Sequence, residues 1–145
     1  MRGAWVGFSW GHTRDHFYRA VLESVALEYA YYLGILRELL PELSLSEARV
    51  IGGGAKSAVW NQIKADVLGV PYQRLQRAEF ATWGAALVAG RAVGLYSDLA
   101  LAAAETTEPD GAPVQPQAGV HEEYRALAER YARWQELLAK GFRAG

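Results

Sequence analysis

The sequence predicts an α/β protein, and three patterns carry that prediction. Apolar residues recur every three or four positions along residues 13–40, which is typical of a long amphipathic helix. Two β-rich runs, residues 48–51 and 70–75, flank a segment with the same helical period. Three consecutive glycines at positions 52–54 mark the turn between the first run and that helix. A β-α-β unit of this size implies two parallel strands joined by a right-handed crossover.

The long N-terminal helix follows an irregular lead-in, residues 1–12, which is rich in glycine and aromatic residues. Either Thr13 or Asp15 can cap the helix. Pro41 ends it after Leu40, because proline has no backbone N–H to donate. The apolar positions of this helix are Tyr18, Val21, Leu22, Val25, Tyr29, Tyr32, Leu33, Leu36 and Leu40.

The later elements follow the glycines in order. Residues 57–68 form the predicted middle helix, which Gly69 caps before the second strand. An alanine-rich helix is predicted over residues 79–93. Three prolines and an Asp-Gly pair make residues 105–119 a loop. A final amphipathic helix, strongest from about residue 122 to residue 140, occupies the C-terminal segment 120–145.

The predicted sheet is too small to stand alone. Two strands are only marginally stable, and parallel strands need cover on both faces and neighbours along their edges. The four predicted helices cannot supply those edges. We therefore expect residues 1–145 to be a single partial domain that further sequence or a second chain completes.

Composition excludes several classes of function. The net charge is −1, and the basic residues do not form a stripe, which argues against a nucleic-acid partner. The absence of cysteine excludes disulfides and thiolate metal sites. There is no signal-type apolar segment and no run of 18 apolar residues, so we expect a cytoplasmic protein without a membrane partner.

The glycine turn fits neither of two common phosphate-binding motifs. A P-loop requires glycine directly before Lys-Ser, but Ala55 precedes Lys56 and Ser57. A dinucleotide fingerprint requires a third glycine where Ser57 stands, and an acidic residue after the second strand, where the chain has Gln76. A dinucleotide-binding βαβ fragment remains one alternative.

A tight turn that binds no ligand is the simplest explanation of the glycines, but the alanine-rich helix favours a ligand. Gly84 lies in the middle of that helix, where glycine costs about 1 kcal/mol relative to alanine. Such a residue indicates the close approach of another group. That group could be the glycine turn, an adenine ring or another helix.

At this point the residues resemble a known family. The segment from Ile51 to Ser57, with Trp60 and the run Ala65-Asp66-Val67-Leu68-Gly69-Val70-Pro71 after it, resembles the adenosine motif of the FGGY carbohydrate kinases, xylulokinases in particular. Glu79 followed by Thr82-Trp83-Gly84-Ala85-Ala86 resembles the family's next segment, a glycine-alanine helix over the nucleotide. The resemblance extends over essentially all of the chain.

The resemblance implies the C-terminal portion of an actin-like, ribonuclease-H-like ATPase domain: a long helix, the β-α-β unit, a further helix and a C-terminal helix. It implies an ATP-dependent sugar kinase that uses Mg²⁺, with the metal contacts and the catalytic aspartate outside this chain. No catalytic or metal-binding residue is therefore assigned. The nucleotide-binding residues it implies are Gly52, Gly53, Gly54, Ala55, Ser57, Asn61 and Gly84.

The expected partners are an adenine nucleotide and either the remainder of the kinase or a second copy of the chain, which would make a homo-oligomer. Xylulose is the sugar that the resemblance favours, but gluconate, ribulose and glycerol kinases share the architecture. The other alternative is a non-catalytic, helix-rich interaction module that has kept the fold and lost the ligand.

Overall fold

The structure, a computed structural model, describes residues 3–76 and 79–143. The first two residues of the predicted lead-in and the last two of the predicted final helix lie outside the described residues. The elements in chain order are α1 (Arg14–Leu39), β1 (Ala48–Val50), a 3-10 turn (Gly53–Lys56), α2 (Ala58–Leu68), β2 (Tyr72–Arg74), α3 (Phe80–Ala92), α4 (Leu99–Glu105) and α5 (Ala118–Arg143).

Helix α1 is capped by Thr13, one of the two residues predicted for that role. The Thr13 backbone N–H donates to His16 Nδ1 at 3.1 Å, and Thr13 Oγ1 lies 2.9 Å from the same nitrogen. This arrangement is a capping box in which histidine replaces the usual Glu or Gln. The helix ends at Leu39, and the C-cap Leu40 is followed by the predicted terminator Pro41.

Strands β1 and β2 form a two-stranded parallel sheet, which confirms the predicted pairing. Ala48 pairs with Tyr72, and Val50 pairs with Arg74. Both strands are three residues long, shorter than the predicted runs. The N–H of Ala48 donates a hydrogen bond across the pair to the carbonyl of Pro71, at 2.9 Å.

The segment predicted as a loop closes the outer edge of β2. The N–H of Tyr72 donates to the carbonyl of Val114 at 2.9 Å, and the N–H of Val114 returns a bond at 3.0 Å. Asp110 N–H donates to the Arg74 carbonyl at 2.8 Å. Two isolated antiparallel bridges join this segment to Tyr72 of β2 and to Leu75, the residue after β2. The expectation that the chain leaves its sheet edges uncovered is therefore wrong for this edge of β2.

The core lies between α1, α2 and α5. Its buried members are Ala26 and Leu27 from α1, Ile63 and Val67 from α2, and Tyr124 from α5. These five side chains are at most 6% exposed. Full burial of an aliphatic side chain of this size contributes about 1.5–3 kcal/mol, so this cluster is the main source of stability for the three helices.

Helix α5 begins earlier than the strongest part of its predicted pattern, because polar contacts to α2 fix its start. The carboxylate Oδ1 of Asp66 accepts the backbone N–H of Gln117 at 2.7 Å. The Nδ1 of His121 lies 2.7 Å from the Asp66 carbonyl oxygen. Asp66 is only 4% exposed. The side chain and the backbone carbonyl of Asp66 therefore hold the N-terminus of α5 against α2.

Helix α4 was not predicted, although the sequence carries a signal for it. Asp98 caps the helix by accepting the N–H of Leu101 at 2.9 Å. An aspartate followed by a leucine- and alanine-rich run is a usual start of a helix. The helix spans seven residues and packs against α3. Helix α3, at Phe80–Ala92, is one residue shorter at each end than the predicted range 79–93.

Candidate functional site

The glycine turn joins β1 to α2 through one turn of 3-10 helix. Gly52 has a φ of +81°, a conformation that glycine adopts readily and other residues rarely. A Cβ added at Gly52 or Gly53 would meet no atom within 4 Å. Both residues are exposed. The first two glycines therefore present bare backbone to open space, as a bound ligand would require.

The third glycine has a different role. A Cβ added at Gly54 would lie 2.9 Å from Cζ3 of Trp60, too close for a stable structure. The Trp60 ring is held in place because its Nε1–H donates to the Leu22 carbonyl of α1 at 3.1 Å. Packing against Trp60 thus explains why this position is glycine, and it anchors the turn to α1.

Asn61 lies beneath the turn and not on its surface. Its side chain is 1% exposed, and Nδ2 donates to the carbonyl of Ala55 at 2.7 Å. Ala55 is itself 8% exposed. Within the described residues, Asn61 Oδ1 is buried without a hydrogen-bond partner. The structure thus gives Asn61 the position of a support for the turn.

Ser57 sits at the junction of the turn and α2. It is the N-cap residue of α2, and its Oγ accepts the N–H of Trp60 at 3.3 Å. Ser57 remains exposed, as does Lys56 before it. Six of the seven predicted site residues, Gly52 to Ala55 together with Ser57 and Asn61, therefore lie in one continuous unit that ends in a helix N-terminus.

The seventh predicted site residue, Gly84, lies on a separate helix. It is half-buried in α3, and a Cβ added there would meet no atom within 4 Å. Contacts among residues 3–76 and 79–143 therefore do not explain why this position is glycine. The neighbouring small residues Ala85 and Ala86 are exposed.

Lys64, which the sequence does not single out, lies against Trp60 beneath the glycine turn. Lys64 is 6% exposed, and its Nζ lies 4.1 Å from the centroid of the Trp60 ring and 5.8 Å from that of Tyr72. Burial lowers the pKa of its ammonium group. The spacing of four residues between Trp60 and Lys64 on one helix was the available signal.

In residues 3–76 and 79–143, no three His, Asp or Glu side chains are grouped as a metal site would require. His12 and His16 instead place their Nδ1 atoms against Ser9 and Thr13 at the start of α1. Over the same residues, no helix combines the length and the apolar character needed to cross a membrane.

The chain has a fold that forms part of solved sugar kinases. It superposes on a ligand-bound xylulose kinase from Lactobacillus acidophilus with a TM-score of 0.79, at 24% identity, over 96% of this chain and 28% of that one. A xylulose kinase from Rhodospirillum rubrum gives a TM-score of 0.69 at 31% identity, over 95% of this chain and 28% of that one.

The chain belongs to the FGGY family of carbohydrate kinases. Residues 1–93 match the model of that family's C-terminal domain. L-fuculokinase from Escherichia coli K12 is 34% identical over 125 residues, which are 86% of this chain and 23% of that protein. Glycerol kinase 1 from Clostridium tetani is 41% identical over 114 residues, 75% of this chain and 23% of that protein.

These comparisons confirm the predicted family and fold class, the C-terminal portion of an actin-like ATPase domain. The residues that match the family model include the whole glycine turn and Gly84, whereas α4 and α5 lie beyond that match. The chain spans about a quarter of the length of the relatives it matches.

Proposed function

We propose that this chain supplies the adenosine-binding part of an ATP-dependent sugar kinase. The observation that carries the proposal is the open backbone of Gly52 and Gly53, at the start of the 3-10 turn that leads into α2 and inside the family match. Unpaired N–H groups at a helix N-terminus favour the polar and anionic groups of a nucleotide. The absence of side chains leaves room for the ligand.

The turn is held ready for a ligand by contacts beneath it. Asn61 fixes the Ala55 carbonyl, and Trp60 packs against Gly54 while bonded to α1. In this proposal Ala55, Ser57 and Gly84 complete the nucleotide site. Gly84 has no side chain, so the ligand can lie against that face of α3. A turn that is already ordered loses less conformational entropy when it binds.

The chemical step needs groups from elsewhere. ATP would supply the phosphoryl group and Mg²⁺ the charge that stabilises it during transfer. The exposed turn backbone fits the adenosine part of such a ligand, and no residue of this chain is assigned to the metal or to catalysis. We propose that the chain is a partial domain of a cytoplasmic kinase and is inactive without the remaining sequence.

The proposed substrate is D-xylulose or a related sugar. The resemblance of the glycine segment and the similarity to two xylulose kinases support xylulose. Relatives named L-fuculokinase and glycerol kinase match the same region at similar identity. In this proposal the region present here serves the nucleotide half of the reaction, and the sugar choice rests on the remaining sequence.

The test is calorimetric titration of the chain with ATP, using Gly84→Leu as the variant and Gly34→Leu as the matched control. Both glycines lie inside helices with no atom within 4 Å of an added Cβ. Both substitutions should raise helix stability by about 0.5–1 kcal/mol. Only Gly84→Leu should weaken ATP binding, by about tenfold or more, because its side chain enters the proposed ligand space.

Three results would contradict the proposal. Binding that is absent at about millimolar ATP favours the interaction-module alternative. Binding that Gly84→Leu leaves unchanged removes α3 from the site. Tighter binding of NAD than of ATP supports the dinucleotide alternative. Thermal melting of both variants keeps a loss of binding separate from a loss of folding.

A further inference from the structure

The segment that closes the outer edge of β2 also holds the chain just after that strand. We call this segment, residues 108–114, the strap. The N–H of Gln76, two residues beyond β2, donates to the carbonyl of Glu108 at 2.8 Å. Gln76 lies four positions before Phe80, where α3 begins. The strap therefore fixes the connection from β2 to α3 close to the start of the helix.

Side chains reinforce the backbone bonds between the strap and β2. The guanidinium group of Arg74 donates to Oδ2 of Asp110 in an ion pair. The side chain of Gln73 is buried in a residue only 5% exposed, and its Nε2 donates to the carbonyl of Gly111 at 3.1 Å. Hydrogen bonds between charged groups are roughly twice as strong as those between neutral ones. The Arg74–Asp110 pair is therefore the strongest single side-chain contact between the strap and β2.

The other end of α3 is held by the chain that leads into the strap. The N–H of Leu95 donates to the carbonyl of Gly90 at 2.8 Å. A Cβ added at Gly90 would lie 2.7 Å from Cε2 of Tyr96, so this ring packs directly against the backbone of α3. Helix α4 follows, packs against α3 and ends three residues before the strap. The chain thus leaves α3 and returns, through α4 and the strap, to the residues just before α3.

Helix α3 depends on these supports because it takes no part in the main core. In residues 3–76 and 79–143, the buried cluster between α1, α2 and α5 includes no residue of α3. The main packing partner of α3 among the same residues is α4, a helix of only seven residues. A helix with few buried apolar contacts opens more readily than the core does. The place of α3 relative to the glycine turn therefore depends on β2, α4 and the strap.

We propose that the strap is a positioning element for the nucleotide site, and that Asp110 is its positioning residue. By holding Arg74 and the end of β2, the strap keeps α3, and with it Gly84, in place opposite the glycine turn. This proposal rests on the proposed function. The strap lies beyond residues 1–93, so the match to the family model gives it no role.

The coupling acts through the fraction of molecules in which both faces of the site are in place. A nucleotide that contacts the glycine turn and α3 together binds fully only when α3 is correctly placed. The apparent affinity falls in proportion to the fraction of molecules in that arrangement. A strap that only stabilised the sheet would instead lower the stability of the whole chain, without a selective effect on α3.

The experiment replaces attraction by repulsion with Asp110→Lys, which puts two positive charges side by side. Glu47→Lys is the matched control, because Glu47 pairs with Arg49 of β1 at 3.0 Å and lies on the other strand of the sheet. Adding Arg74→Asp to Asp110→Lys restores an ion pair of reversed sign. Amide hydrogen exchange without nucleotide compares α3 with α2 in each protein, and calorimetric titration gives the dissociation constant for ATP.

We expect Asp110→Lys to speed exchange in α3 by about tenfold and to leave α2 unchanged. The dissociation constant for ATP should rise by less, about threefold, because affinity falls only with the fraction of molecules whose α3 is in place. The reversed pair should restore both measurements towards the wild-type values. The control Glu47→Lys should change neither exchange in α3 nor the affinity for ATP.

Unchanged exchange in α3 overturns this proposal alone, and so does an equal acceleration in α2 and α3, which indicates a general loss of stability. Faster exchange in α3 with unchanged affinity for ATP overturns it as well, because the position of α3 then does not matter to the ligand. A reversed pair that restores neither measurement removes the ion pair as the cause. A wild-type chain that binds no ATP overturns the proposed function and this proposal with it.

Discussion

The helical side of the molecule and its strand side differ in how completely they are closed. On the helical side, α1, α2 and α5 share a buried cluster, and Tyr124 Oη donates to Glu23 at 2.7 Å while it accepts from Arg19 at 3.0 Å. On the strand side, within residues 3–76 and 79–143, β1 pairs only with β2, and no atom lies within 4 Å of a Cβ added at Gly84. The difference shows that these residues complete the helical core but leave open the surface where a ligand is proposed.

The largest expected effect comes from breaking the helical core. Ile63 is 4% exposed on α2, and Ile63→Ala should lower the free energy of unfolding by about 2–5 kcal/mol, because it removes apolar contacts and leaves a cavity. Val59 lies on the same helix but is 63% exposed, so Val59→Ala should cost no more than about 0.5 kcal/mol. Urea denaturation measures both. An equal loss of unfolding free energy in the two variants would show that Ile63 is not packed in a core shared by the three helices.

Each side also contains one buried tyrosine, which allows a comparison by pH. Burial raises the pKa of Tyr124 to about 12, and its hydrogen bond to Glu23 adds to the shift. Burial likewise raises the pKa of Tyr72 on β2 to about 12. The unfolded chain ionises near pH 10, before the folded protein does. Both groups therefore stabilise the fold below pH 10, and that stability is lost as the pH rises from 10 to 12.

Each tyrosine should contribute about 2–3 kcal/mol to that loss. Tyrosinate absorbance and urea denaturation across this pH interval, repeated with Tyr124→Phe and Tyr72→Phe, separate the two sides. Each variant should lose part of the alkaline dependence. If Tyr72 alone ionises near pH 10 in the folded chain, the strand side opens in solution while the helical side stays closed, which would sharpen the contrast between them.

The features that the sequence predicted correctly are those set by local pattern. Helical period predicted α1, α2 and α5, alanine-rich composition predicted α3, and the glycines with β-rich flanks predicted the strand–turn–helix junction. The missed contacts depend on residues far apart in the chain. Val114 bonds to Tyr72 across 42 positions, and proline-rich composition alone does not indicate such pairing.

For the candidate site, the internal arrangement of the turn could not be predicted from the sequence. The family resemblance implies Asn61 as a nucleotide-binding residue, whereas the fold turns its amide inward to the Ala55 carbonyl. Gly54 was predicted to face the ligand, but the Trp60 ring lies against the space where a Cβ of residue 54 would be. Side-chain direction within a helix depends on what packs against it, and that information comes only from the tertiary structure.

The smallest expected effect lies where the two sides meet, at Lys64. Its ammonium group is buried against the rings of Trp60 and Tyr72, and within the described residues it forms no salt bridge. The cation–π contacts offset only part of the loss of hydration. Lys64→Met keeps most of the volume and removes the charge, so it should raise the free energy of unfolding by about 1 kcal/mol at neutral pH.

The pH dependence distinguishes this cause from simple packing. Burial lowers the folded pKa of Lys64 below the ordinary 10.5, so the folded protein releases this proton before the unfolded chain does. Wild-type stability should therefore gain a contribution as the pH rises through the lowered folded pKa towards 10.5, and the advantage of Lys64→Met should shrink there. Lys56→Met, at an exposed position in the glycine turn, should not raise the free energy of unfolding at neutral pH. If Lys64→Met instead lowers the free energy of unfolding at neutral pH, the cation–π contacts with Trp60 and Tyr72 more than offset the cost of burying the charge. Lys64 then stabilises the packing of α2 against β2.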